Sequence, residues 1–181
     1  MKKLAIVVSL AAVLGSIGLT QAASTGTITF NGELTASTCD VNVNGGGANG
    51  TVILPTVGTN QLTAATQTAG RTSFDMALTD CAGTLKTASA FFEAGPSVDL
   101  VTGHLKNLSG TATNVSLQLR DGLSATQAVI KAGNTSQVGS ASYVDVSSGS
   151  ATLPYAVEYY ADGATTAGTV VSNVVYSIQY K

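Results

Sequence analysis

The sequence predicts an all-β protein, an immunoglobulin-like sandwich, with a closed barrel as the rival all-β architecture. Three observations carry that expectation. Short segments of alternating apolar and polar residues recur along the chain, bounded by Gly, Asn, Asp and Ser. Few stretches keep a helical apolar period. Two cysteines, Cys39 and Cys81, stand far apart and offer one long-range cross-link.

The first residues set the compartment. Lys2 and Lys3 precede the apolar run Leu4 to Leu19, and Thr20-Gln21-Ala22 supplies a small residue for cleavage. That order of basic start, apolar middle and small exit is a secretory signal peptide, residues 1–22. Its removal leaves 159 of the 181 residues, one domain with room for a core. The basic residues fall from eight to six against ten acidic ones, so the net charge moves from −2 to −4. The acids are scattered and no basic patch exists, so nucleic acid has no electrostatic footprint here. In an exported chain, a pair of cysteines predicts a disulfide. Closing a loop of about forty residues is worth roughly 4 kcal/mol in the chain-entropy model.

The strands follow in order. Thr27 to Leu34 alternates, with Ile28, Phe30 and Leu34 on one face and Gly32 among them. Thr35 to Val43 continues as a second strand through Cys39. Gly45 to Gly50 reads as a flexible loop, and Thr51 to Leu54 as a short strand stopped by Pro55. Gln61 to Ala69 suits a turn or two of helix. Thr72 to Cys81 alternates Phe74, Met76 and Leu78. Thr87 to Glu93, Leu105 to Leu108 and Asn114 to Arg120 read as further strands, the last turned by Asp121-Gly122. Ala128 to Lys131 is a weak strand, and Pro154 to Tyr160 an aromatic-rich one before Asp162-Gly163. The last strand, 168–180, places Gly168, Val170, Ser172, Val174, Tyr176, Ile178 and Tyr180 on one face. It is expected to keep an uncovered edge, which invites another strand.

The residue inventory argues against catalysis. His104 is the only histidine, and with both cysteines in a disulfide no His/Cys metal cluster can form. Neither a Gly-x-Ser-x-Gly elbow nor a phosphate-cradling loop occurs; Gly45–Gly50 lacks the lysine and the helix. No acidic loop has the spacing of a calcium-binding hand. The expectation is no enzyme, no cofactor and no metal. Sequons at Asn49, Asn107, Asn114 and Asn134 arise readily in a chain this rich in Ser and Thr.

The two ends read together give a function. A surplus alternating strand precedes Cys39, and an uncovered strand closes the sequence. Pairing the first of one copy with the last of another is strand addition, for which pilins are a standing example. At this point the chain resembles the chaperone–usher pilins, in particular the major subunits of type 1 and P-type fimbriae. Gly26 to Leu34 (G-T-I-T-F-N-G-E-L) resembles the family's donor strand, glycine included. Cys39 and Cys81, with Thr79-Asp80-Cys81 closing the second strand, match the pilin disulfide. Tyr180 is penultimate and Gly168 fourteenth from the end, as in the family's C-terminal signature.

The resemblance implies an immunoglobulin-like sandwich that lacks its final strand, with an N-terminal donor extension. Residues 23–34 would be that extension and 35–181 the pilin domain. Ile28, Phe30, Gly32 and Leu34 would be the donor residues. Gly168, Val170, Val174, Tyr176, Ile178 and Tyr180 would be the acceptor groove and the strand held by a chaperone. Implied partners are other copies of the chain, a periplasmic chaperone, an outer-membrane usher and a tip adhesin. The implied route runs through the periplasm to a fimbria at the cell surface. A minor subunit or ligand-binding adhesin module is the alternative role.

Overall fold

The computed structural model describes residues 26–34, 36 and 38–181. The expected leader 1–22 with its cleavage after Ala22, residues 23–25 of the expected extension, and Thr35 and Ser37 lie outside the described residues. The chain divides into two units, 1–33 and 34–181, each taken here by itself.

In the first unit, residues 26–33 carry neither helix nor strand. The alternation over Thr27–Leu34 had predicted a strand. A strand is a ladder of main-chain bonds to a neighbour, and this stretch is in no ladder. Ile28 and Phe30 are 78% and 88% exposed.

Among its described residues the second unit holds nine strands. They are β1 (Thr38–Val43), β2 (Thr68–Ala82), β3 (Thr87–Phe92), β4 (Leu105–Lys106), β5 (Val115–Asp121), β6 (Val129–Ile130), β7 (Val144–Asp145), β8 (Ala151–Ala161) and β9 (Tyr176–Tyr180). A single helical turn, α1 (Gln137–Ser140), and a 3₁₀ turn, Thr59–Gln61, complete the list. One sheet runs β1-β2-β8-β5-β4, with β6 also on β5; the other runs β7-β3-β9. Every pairing within them is antiparallel. This is the expected all-β sandwich.

Period-two patterning explains the core. Phe74, Met76 and Leu78 of β2, Leu117 and Leu119 of β5, and Leu153, Tyr155 and Val157 of β8 all point inward. From the other sheet Ala88, Ala90 and Phe92 of β3 meet them. Tyr155 packs edge-on to Phe92 at 5.1 Å between ring centres, and its hydroxyl accepts a bond from the Ala90 amide at 3.0 Å. Burial pushes the Tyr155 phenol above its ordinary pKa. The long pair β2–β8 breaks register between Ala69 and Thr72. Gly70 sits at that bulge with φ +66°, and a Cβ there would meet the Tyr159 ring at 2.9 Å. The disulfide Cys39–Cys81 ties β1 to β2 where their register also shifts, between Thr38 and Asp40.

Two expected strands differ from the observed ones. Thr51–Leu54 is extended but unpaired: main-chain groups of 51–57 bond to no other main-chain group among the described residues. Val52 and Leu54 are nevertheless half-buried on the core. The last strand is laddered over Tyr176–Tyr180 and not over 168–175. Its neighbour β3 ends at Phe92, opposite Tyr176, so no regular strand lies beside the earlier half. That half hangs instead on the turn at 107–112. The Leu108 and Ala112 amides donate to the Val171 and Thr169 carbonyls at 2.9 and 3.0 Å. The Asn107 side chain accepts from the Val171 amide at 2.8 Å and donates to the Thr169 carbonyl at 3.1 Å.

Candidate functional site: an open groove along the last strand

The sheet β7-β3-β9 stops at β9, and no strand among the described residues lies on its far side. An immunoglobulin sandwich ordinarily has its final strand there, antiparallel to its neighbour. From Tyr176 back along the earlier half of the last strand runs a groove. One wall is 168–176 and the other is the unpaired segment 50–59.

The groove has two wide parts. The part beside Tyr176 and Val174 has a volume of ≈ 390 Å³, with Val52 and Leu54 opposite and Phe92 and Leu117 below. The part beside Val170 and Val171 has a volume of ≈ 570 Å³, lined by Val57, Leu62, Val115 and Tyr159. Both are more apolar than polar, with threonines on the rim of the second, and their size suits rows of aliphatic or aromatic side chains.

Inward and outward residues alternate along the last strand. Val170, Val174, Tyr176, Ile178 and Tyr180 are half-buried and packed on the core, while Val171 and Val175 between them are 50% and 68% exposed. Ser172 shares the inward row and lines the groove. Its hydroxyl is buried with no hydrogen-bond partner. Two tyrosines of β9 reach main chain in the 39–48 stretch. The Tyr176 hydroxyl donates to the Ala48 carbonyl at 2.7 Å, and the Tyr180 hydroxyl meets the Cys39 main chain. Burial raises the pKa of both phenols above its ordinary value, so both stay protonated at neutral pH.

Gly168 has a local reason to be glycine. It abuts the Thr111–Ala112 turn, where a Cβ would lie 2.4 Å from the Ala112 nitrogen. The turn is itself tied to this strand, since the Thr169 amide donates to the Thr111 hydroxyl at 3.0 Å. No side chain fits between two main chains held that closely.

The donor residues named from sequence are exposed: Ile28 78%, Phe30 88% and Leu34 102%. Nothing within 4 Å crowds the missing side chain of Gly32. Sequence reasoning missed the second wall. The signal was present in Val52 and Leu54, whose alternation was read as a short strand stopped by Pro55. Among the described residues, no group of three His, Cys, Asp or Glu side chains is placed to hold a metal.

The family model for "Type-1 fimbrial protein, A" matches residues 54–181. The chain is 42% identical over 171 residues to the major fimbrial subunit SMF-1 of Stenotrophomonas maltophilia, covering 92% of this chain and 99% of that protein. It is 37% identical over 163 residues to the F17 fimbrial protein of Escherichia coli, covering 86% and 87%. In fold it is similar to the crystal structure of the P pilus rod subunit PapA, with a TM-score of 0.60 at 13% identity, covering 79% and 99%.

Proposed function

The chain belongs to the type-1 fimbrial protein family of chaperone–usher pilins, and we propose that it builds its fimbria by donor-strand exchange. It is a structural subunit of a surface fimbria. In the proposed joint, Ile28, Phe30, Gly32 and Leu34 of one copy lie in the groove of the next. The single observation that carries this reading is the open, mostly apolar groove beside 168–176, in a chain that also exposes an alternating apolar stretch.

The energetics favour it. Full burial of Ile28, Phe30 and Leu34 is worth about 1.5–3 kcal/mol each. Main-chain bonds to the bare edges of 168–176 and 51–57 each add about 0.5–1.5 kcal/mol net. As the missing last strand of the sandwich, the donor runs antiparallel to β9. Gly32 then allows close approach of the two main chains in the middle of the joint. Donor and acceptor are different surfaces, so the contact is head-to-tail and builds an open filament rather than a closed pair.

The same groove needs a temporary occupant before assembly, because an apolar cleft of this size invites misassociation. A periplasmic chaperone lending a strand meets that need, and an outer-membrane usher then orders the exchange. A tip adhesin would cap the filament's far end. The near-complete mutual coverage with a major subunit supports a shaft role over a separate adhesin module. The inventory of side chains along the groove is apolar and non-catalytic, which supports a structural rather than an enzymatic role.

The test is a deletion of residues 23–34 behind an intact leader. The truncated protein is expected to be captured by its chaperone but to form no filaments by electron microscopy and no SDS-resistant multimers. Filaments of normal length from the truncated protein would refute the donor assignment.

A further inference from the structure

A buried polar chain crosses the outer face of the larger sheet, and strand exchange makes no use of it. The Arg120 Nη2 donates to the Gln118 Oε1 at 2.9 Å. A guanidinium only donates, so this bond fixes which way the Gln118 amide points. Its Nε2 therefore faces the His104 Nε2, 2.9 Å away, as the donor. That makes His104 Nε2 the bare nitrogen and puts the ring proton on Nδ1. Nδ1 lies 3.3 Å from the Ser116 hydroxyl, which donates in turn to the Asp162 Oδ1 at 3.1 Å. Every bond points the same way, from a cation to an anion. Gln118, His104 and Ser116 are buried, and the Tyr160 ring lies 4.3 Å from the imidazole.

This chain has no place for a second imidazole proton. A proton on Nε2 would face the Gln118 amide hydrogens, donor against donor. Turning the amide over would set its NH₂ against the Arg120 guanidinium instead. Arg120 is held by Glu158, whose Oε1 it reaches at 2.6 Å, while Arg71 holds the other carboxylate oxygen at 2.8 Å. The arrangement resists rearrangement from its far end.

The other charges facing His104 come from three elements. Asp99 and Lys106 flank it on its own segment, Lys131 follows β6, and Asp162 follows β8. Burial is the leading influence and disfavours the imidazolium; Lys131 adds to it, while Asp162 and Asp99 oppose it. The outcome is a pKa below the ordinary 6.5.

The location gives the chain a consequence. His104 is followed by β4, and then by Asn107, whose side chain holds Thr169 and Val171. We infer that His104 is an acid-sensitive latch: its protonation breaks the Gln118 link and loosens the 104–112 support behind the Thr169–Val171 wall. The inference rests on reading that wall as part of the acceptor groove. The sign follows from the depressed pKa. The unfolded chain takes up the proton first, so the latch is whole above about pH 6.5 and weakens as the pH falls below it.

His104 is the only histidine, so its ring signals in NMR spectra of the full chain need no assignment by mutation. The expected result is an Nδ1–H tautomer at about pH 7.5 and a titration midpoint below the ordinary histidine value. Amide exchange, corrected for its intrinsic pH dependence, is expected to quicken severalfold at 104–108 and 169–171 on going to about pH 5. His104→Gln, which does not titrate, is expected to show no such change between the two pH values. An Nε2–H tautomer overturns the inference, as does an ordinary or raised midpoint. So does protection at 169–171 that ignores pH, or that follows it equally in the variant. None of these readouts involves filaments, so a failure of strand exchange would show separately, in the deletion experiment.

Discussion

Two stretches of this protein carry the same pattern and meet opposite fates. In β2, Phe74, Met76 and Leu78 alternate with polar residues and are 8%, 1% and 0% exposed. At the front, Ile28 and Phe30 alternate in the same way and are 78% and 88% exposed. Local preference does not separate them, since both are β-branched, aromatic or aliphatic residues at period two. The difference is the neighbour. β2 lies between β1 and β8 and is bonded on both edges. Residues 26–33 are in no ladder among the described residues. An alternating row therefore specifies a strand conditionally, and the condition is a free edge to join.

The largest expected effect separates the two rows by mutation. Leu78→Ala should cost about 2–5 kcal/mol of folding stability, read by urea unfolding of the isolated subunit. Phe30→Ala should change that stability by less than about 0.5 kcal/mol. It should nevertheless sharply reduce filaments seen by electron microscopy. If Phe30→Ala destabilises the isolated subunit as Leu78→Ala does, the two rows are not the different things described here.

Much of this was legible in the sequence. β2, β5, β8 and the end of β9 were, because their side chains alternate against a core that the same chain supplies. The Cys39–Cys81 link was legible from the compartment implied by the leader. The helical turns expected over Gln61–Ala69 gave way to loop and to the start of β2 at Thr68. The other misreadings share one cause. Thr27–Leu34, Thr51–Leu54 and 168–175 have the composition of strands but not the partners, and partner supply is not a local property of sequence. β7 and α1 were missed because each is too short to show a period. The buried outer-face chain from Arg120 to Asp162 joins residues up to 58 positions apart from His104, and no spacing rule connects them.

A smaller effect sharpens the contrast within the last strand itself. Its 176–180 half is fixed by a ladder on β3, and its 168–175 half by side chains and a turn. Gly168→Ala should cost about 1–3 kcal/mol, because a Cβ there meets main chain that cannot swing aside. Hydrogen exchange should then quicken at 168–171 while 176–180 stays protected. Equal loss of protection in both halves would mean the strand is one cooperative element after all.

In the proposed joint, residues 23–34 of one copy fill the groove between 51–57 and 168–176 of another. It is tested most directly by adding a synthetic peptide of residues 23–34 to the subunit that lacks them and following thermal unfolding. The account predicts a rise in unfolding temperature of about 5 °C or more at saturating peptide. It also predicts that a peptide carrying Phe30→Asp gives no rise. An unchanged unfolding temperature with the native peptide, or an equal rise with both, would contradict it.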